Sequence, residues 1–391
     1  MNTMKKILVI LSLFMPLMLF RACVTPYQPE GVEEMKGLLV VDGIITDNQS
    51  VIRLSKTMGL EELPTESRFV NDATVTIETS SGESFRPETI KNGEYTIPTG
   101  TLDTGKEYRI NIEYNGDQYQ SPFQTPLSTP AIDSIYYRKE PVNSRSNVQV
   151  LVATHDNLND YAYYRWSYVE EWEYRAPIFA EIDTVPRASG KAPRKYVEYE
   201  LGTPNNRYYC WGKKSPDHLI VASTTKLASN VIKDQVIQQK PASDERWALV
   251  YRIRVTQNRI RKEAYEYFSA LQNNIEDAGS IFAPMPSKME GNITCINDPE
   301  KIAIGYMEVS TTTTKERFIP SSVYEPSYSP LCEDKTVSES YAREYSLITT
   351  YKPYMFDDYG LPLWAPGECV DCTYSGERTK ERPDNWPTDN Y

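Results

Sequence analysis

EYRINIEYNGDQYQ, residues 107–120, alternates with period two: Tyr108, Ile110, Ile112 and Tyr114 fall on one face, Arg109, Asn111 and Glu113 on the other. That spacing belongs to a strand with one buried face. Asn115-Gly116 then supplies two residues that tolerate positive φ, the chemistry of a tight hairpin. The same pattern extends backwards through GLLVVDGIIT, VIRLSKTM, ATVTIETSS, ESFRPETI and EYTIPT, with Ser81-Gly82 and Asn92-Gly93 as further turns. Seven short strands between Gly37 and Thr125 predict a β-sandwich of immunoglobulin-like or transthyretin-like kind over residues 37–128.

Beyond the Pro-bearing boundary PLSTPAID, residues 126–133, strand signals resume in IDSIYYRK, NVQVLVATH, YAYYRWSYVEEWEY, KYVEYEL, HLIVASTT and RWALVYRIRVTQ. The run 176–195 reads as a long surface loop between two of them. In RKEAYEYFSALQNNIED, residues 261–277, Ala264, Phe268, Leu271 and Ile275 recur at helical spacing, and Gly279 suits a C-cap. This helix is expected to cover a second β-sandwich-like domain, residues 129–319, whose strand signals return over 301–319. Residues 320–391 are rich in Tyr, Pro and Cys without periodicity and predict an irregular segment pinned to the second domain. The fold class is therefore mainly β, with one inserted helix.

The composition supports an ordinary globular body of 391 residues, 40% hydrophobic and 25% charged, with 29 Tyr against 10 Phe. The net charge is −12, and the first 22 residues carry Lys5, Lys6 and Arg21 without an acid, so the remainder is more acidic still. Phosphate backbones would repel it, which argues against nucleic acid as a partner, and anionic membrane surfaces are poor electrostatic partners too.

Residues 7–20, ILVILSLFMPLMLF, follow a basic start but fall short of the ~20 residues of a membrane span. They fit the apolar core of a secretory signal. Ala22-Cys23 with Leu19 resembles a bacterial lipobox, although Phe20 and Arg21 stand where small or aliphatic residues are usual. Residues 1–22 thus read as a lipoprotein signal peptide, Cys23 as the lipidated residue, and 23–36 as a solvated tether. The alternatives are a plain signal cleaved near Ala22 or an uncleaved anchor. At ~0.8 kcal/mol per buried methylene, a multiply acylated Cys23 would hold the body on a membrane.

Five cysteines remain: Cys210, Cys295, Cys332, Cys369 and Cys372. In an oxidising compartment at most two bridges form and one thiol is left over. Cys369-Val370-Asp371-Cys372 could instead be half a metal site or a redox pair. It lacks a second CxxC and the strand-to-helix context of redox motifs, so structural disulfides are favoured. A bridge from the tail to Cys295 or Cys332 would keep the tail docked.

His155 and His218 each lie beside an Asp but have no G-x-S-x-G partner, and read as solvated turn-end residues. Asp72, Asp103, Asp133, Asp160 and Asp371 lack calcium-loop spacing. The pairs Glu33-Glu34, Glu61-Glu62 and Glu170-Glu171 read as solvated faces rather than a glycosidase couple. No phosphate loop or dinucleotide fingerprint occurs, and no cofactor is implied. The best recognition candidate is the aromatic run 161–175, with Tyr161, Tyr163, Tyr164, Arg165 and Trp166. Against it stands the plainer expectation that both of its faces fill the core.

LLVVDGIITD, ATVTIETSSG, GEYTIP, PAIDSIYY, NDYAYYRW, YYCW, the block EAYEYFSALQNNIEDAGSIFAPMPSKMEGNITCINDPEKIAIGYMEVS, and CVDCTYSG with RPDNW together resemble a lipoprotein family of Bacteroidota, domain of unknown function 4249. The resemblance implies an outer-membrane lipoprotein, often encoded beside a TonB-dependent transporter, with no established catalytic residues. The expectation is a non-catalytic, surface-exposed accessory or substrate-capturing partner of such a barrel, its cargo unspecified. The alternatives are a structural or adhesive surface protein and, more remotely, a hydrolase.

Overall fold

The computed structural model describes residues 37–58, 68–142, 145–157, 160–184, 196–198, 207–215, 219–277, 291–325, 332, 336–374 and 376–387. The expected signal peptide 1–22, Cys23, the expected tether 23–36, Glu61-Glu62, His218, Gly279 and residues 185–195 of the expected surface loop lie outside them.

Tyr108–Tyr114 is a strand, and its four alternate apolar residues, Tyr108, Ile110, Ile112 and Tyr114, are all buried. It pairs with Thr74–Thr79 on one side and, through the hairpin, with Asp117–Gln120 on the other. Asn115 (φ 52°) and Gly116 (φ 85°) adopt the left-handed conformations this two-residue turn requires. The facing sheet contains Leu39–Ile45, Asn48–Lys56, Glu94–Gly100 and Thr89–Lys91 in that order. Side chains from both sheets, among them Val41, Ile52, Leu54, Ile77, Ile97 and Ile110, interlock in one core. Full burial of each contributes roughly 1.5–3 kcal/mol.

This sandwich is completed from far along the chain. Thr294–Cys295 pairs with Asp117–Gln120, while Ala303–Gly305 and Glu308–Val309 run parallel to the opening strand Leu39–Ile45. Residues 301–319, expected to serve the second domain together, thus divide, and Thr312–Ile319 alone joins the second sandwich. Gly305 marks the crossing: at φ 148°, a Cβ there would lie 2.0 Å from the carbonyl oxygen of Val41.

The second sandwich stacks a three-stranded sheet, Val231–Pro241, Arg145–His155 and Ile132–Val142, on a larger one. The larger sheet runs Thr312–Ile319, Tyr251–Ile260, Tyr163–Arg175, Tyr209–Lys214 and Arg378–Thr379, with Ile220–Ser223 beside the start of its central strand. The helix forms over Lys262–Asp277, one residue from its predicted start. It covers more than the second sandwich. Its Ala264, Tyr267 and Phe268 cluster with Tyr163, Leu219 and Val221 of that unit and with Ile44 and Tyr306 of the first.

The boundary segment is also built into the body. Thr129 donates its Oγ1–H to the carbonyl of Thr311 and accepts from the Arg259 N–H, and Gln257 donates to the carbonyl of Pro130 at 2.9 Å. The two sandwiches are welded rather than strung.

The disulfide-pinned C-terminal segment is more ordered than its aperiodic sequence. Val337–Ser338, Pro362–Pro366 and Tyr351–Phe356 form a small sheet, joined by the helix Glu339–Glu344 and closed by Gly367–Val370. A local core of Cys332, Tyr354, Ala365, Cys369 and Val370 holds it. Cys210–Cys372 ties it to the second sandwich across 162 residues, and Cys332–Cys369 closes 37 residues within it.

Candidate functional site

The central strand Tyr163–Arg175 carries both the recognition candidates and, further on, a cluster of acids. At its start the recognition candidates divide between the two faces of the strand. Tyr164 (1% exposed) and Trp166 (0%) point into the sandwich core, where the Trp166 indole N–H donates to Gln257 at 2.9 Å. Tyr163 and Arg165 occupy the opposite face, but the helix covers them. Tyr163 packs on Tyr265 with ring centroids 5.3 Å apart, and the Arg165 guanidinium lies 4.6 Å from the Phe268 ring. Tyr161, before the strand, stays exposed. Within the strand, one face thus meets the second sheet and the other meets the helix.

Arg165 also donates to Asp42 of the first sandwich at 2.9 Å. Partial burial pushes the Asp42 carboxyl upward, but Arg165, helped by Arg53 and the Gly43 N–H, outweighs it and holds the group below the usual carboxylate range. A second buried acid sits nearby at the junction. Glu308, fully buried, accepts from the Arg261 side chain at 3.1 Å and from the Arg261 backbone N–H at 2.7 Å. Here burial dominates, and the Glu308 carboxyl lies above its ordinary range despite Arg261.

Glu170-Glu171, expected on a solvated face, is buried, and the two side chains point to opposite sides of the sheet. Glu170 enters the core, where it accepts from the Tyr251 hydroxyl at 2.8 Å, from Gln238, and from Arg246 at 2.9 Å. Arg246 in turn stacks 4.7 Å from the Trp172 ring. Burial, then the neighbouring Glu170, pushes the Tyr251 phenol well above its usual range, so it stays protonated and donates. Glu171 faces outward to Arg252, which donates its Nε–H at 2.8 Å. Glu173, on the same side, accepts from the Trp386 indole at 3.0 Å. A solvated reading failed because an EE pair in isolation carries no sign of the Arg and Tyr that neighbouring strands bring opposite. The register Glu171↔Arg252 supplies one of them.

Glu170, Glu171 and Glu308 are committed as hydrogen-bond acceptors inside ion pairs, and the Tyr251 phenol as a donor. Chemically that arrangement stiffens the fold.

The remaining candidates are scattered. His155 Nδ1 contacts Asp133 at 2.8 Å at an exposed edge. Asp103 receives the Gly105 N–H and Asp160 the Tyr161 N–H, as turn residues do. Burial would raise the Asp371 carboxyl, but donation from Lys352 and Thr373 brings it below the ordinary range. Asp72 is exposed. Among the described residues, no group of three or more His, Cys, Asp or Glu is arranged to hold a metal ion.

The cysteines of CVDC go to separate bridges, Cys369 to Cys332 and Cys372 to Cys210, rather than to each other. Of the two tail partners expected, Cys332 is bridged. Cys295 is the thiol left over, buried in the first sandwich with Asn297 Oδ1 at 3.2 Å. A shallow cleft of about 300 Å³ surrounds the hairpin tip Asn115-Gly116, where Asn297 donates to the carbonyl of Gly116 and accepts from the Gln118 N–H.

No helix among the described residues is long and apolar enough to cross a membrane. No curated protein matches the chain. A family model described as a domain of unknown function, DUF4249, matches residues 24–316. The match runs through both sandwiches and ends inside the strand Thr312–Ile319, before the disulfide-pinned unit. With most of its length covered, residues 24–316 of 391, the chain belongs to the DUF4249 family.

Proposed function

We propose that this protein is a non-catalytic, lipid-anchored outer-membrane protein that serves as an accessory or substrate-capturing partner of a TonB-dependent transporter. The observation that carries the non-catalytic part is the use made of its buried acids. Glu170, Glu171 and Glu308 each lie against an arginine within hydrogen-bonding distance, so the ionisable interior holds strands, helix and junction together. A welded body of this kind suits docking as a unit.

The location rests on Lys5, Lys6, the apolar run and Cys23. Anchoring through the tether 23–36 would confine the body beside a barrel and raise its effective concentration without a high intrinsic affinity. Extraction in mild detergent followed by identification of co-purifying proteins tests the proposal. A barrel recovered in stoichiometric amount supports it, with loss of that barrel from the Cys23→Ala protein. Self-ladders on native gels without a barrel would favour the adhesive alternative.

A further inference from the structure

After the two-residue strand Arg378–Thr379, the chain turns across the outer face of the larger sheet as a strap, residues 380–387. Trp386 is its anchor, only 5% exposed. The socket that takes the indole comes from three adjacent strands, whose register sets Glu171 opposite Arg252 and Arg252 opposite Phe318. The Trp386 N–H donates to Glu173 at 3.0 Å. The ring stands at 78° to Phe318 with centroids 5.9 Å apart, and the Arg252 guanidinium lies 5.4 Å from the indole centroid. Arg252 donates a further bond to the carbonyl of Asp384 at 2.7 Å.

Each wall of the socket is held by the sheet rather than by the strap. Arg252 is pinned by Glu171 at 2.8 Å, and Glu173 and Phe318 belong to strands paired along their length. One aromatic ring meeting an arginine, an edge-on ring and a hydrogen-bond acceptor for its N–H is the make-up of a binding hot spot. Pro383 and Pro387 bracket the contact and limit the conformations the strap loses on docking.

We propose that this face is a peptide-recognition socket filled in cis: the strap 380–387 is a tethered ligand, and the site takes extended, Trp-bearing segments of the same chemistry when the strap is displaced. Occupation by the strap is autoinhibitory, because the covalent link gives it an effective concentration that a free segment must exceed. The inference stands apart from the transporter role.

The test uses the fluorescently labelled peptide KERPDNWP, residues 380–387, with three proteins: the full chain, its Trp386→Ala variant, and a chain ended at Thr379. Anisotropy titration should give saturable binding to the shortened chain and to Trp386→Ala. Binding to the full chain should be weaker by roughly tenfold or more, and the Trp386→Ala peptide should lose a similar factor on every protein. If the shortened chain is misfolded by near-ultraviolet circular dichroism or by disulfide mapping, Trp386→Ala carries the comparison. Absence of saturable binding to a folded, strap-free protein overturns the proposal. So does equal binding of the two peptides, or equal binding to the open and closed chains.

Discussion

Arg261→Met offers the sharpest probe of how the two sandwiches are joined. Arg261 precedes the helix Lys262–Asp277, and its carbonyl accepts the first helical bond, from the Tyr265 N–H. Its side chain pairs with Glu308, whose carboxylate is wholly buried on the strand beside Leu39–Ile45. It also donates to Gln124 and to the carbonyl of Thr125. Methionine keeps the stem and deletes the charge, leaving a buried carboxylate with the Arg261 backbone N–H. Breaking a buried pair from one side costs about 3–5 kcal/mol. Because Arg261 is itself 24% exposed, the lower end applies, a loss of about 3 kcal/mol or two decades in the folding equilibrium.

The sign of the pH dependence follows from Glu308. Its folded-state pKa is raised above the ordinary value of 4.5, so the folded chain takes up this proton before the unfolded chain does. The resulting penalty is fully present above the folded pKa and fades as pH falls toward 4.5. Removing Arg261 lifts that pKa further, so the deficit of the variant should be largest near neutrality and shrink in mild acid. Urea unfolding at several pH values measures this, and the Arg261→Met/Glu308→Gln double variant should recover most of the loss. A deficit below about 0.5 kcal/mol, the size of a surface substitution, would refute the reasoning, as would a double variant no better than Arg261→Met.

The disulfides should differ in weight: chain entropy assigns about 5 kcal/mol to Cys210–Cys372 and about 4 kcal/mol to Cys332–Cys369, so calorimetry should find the Cys210→Ser/Cys372→Ser protein the less stable of the two double variants. Trp166→Ala removes a fully buried indole and leaves Gln257 without that donor, which should cost about 3–5 kcal/mol in denaturant unfolding. Asp42 has its pKa depressed, so its contribution is present above the ordinary 3.8 and lost as pH falls through the folded value. Acid unfolding of Asp42→Asn should therefore diverge from the parent at neutral pH and converge with it at the acid end. In the Cys23→Ala protein a thiol reagent should find no reactive cysteine in the native state and one, Cys295, in non-reducing guanidinium.

What was legible in the sequence is what depends on local period. Tyr108–Tyr114 alternates along its own length, Asn115-Gly116 marks its own turn, and Ala264 and Phe268 lie one helical turn apart on one face; each announces its element without help. What was not legible depends on distant partners. Ala303–Gly305 and Glu308–Val309 are too short to show alternation, and they pair with residues near the chain's start. The aromatic run 161–175 gives no sign of which face a helix about a hundred residues later will cover. Glu170 and Glu171 look solvated until Arg246 and Arg252 arrive from other elements. The cysteine count required a leftover thiol, but Cys295 was identified by its place in a core that the sequence assigned to the other domain.

Placement at an envelope underlies the transporter proposal, and the mass of the N-terminal peptide from membrane-extracted protein tests it most directly. The account predicts a peptide that begins at Cys23 and carries added acyl chains. An unmodified terminus, or a protein recovered free of the membrane fraction, would contradict it.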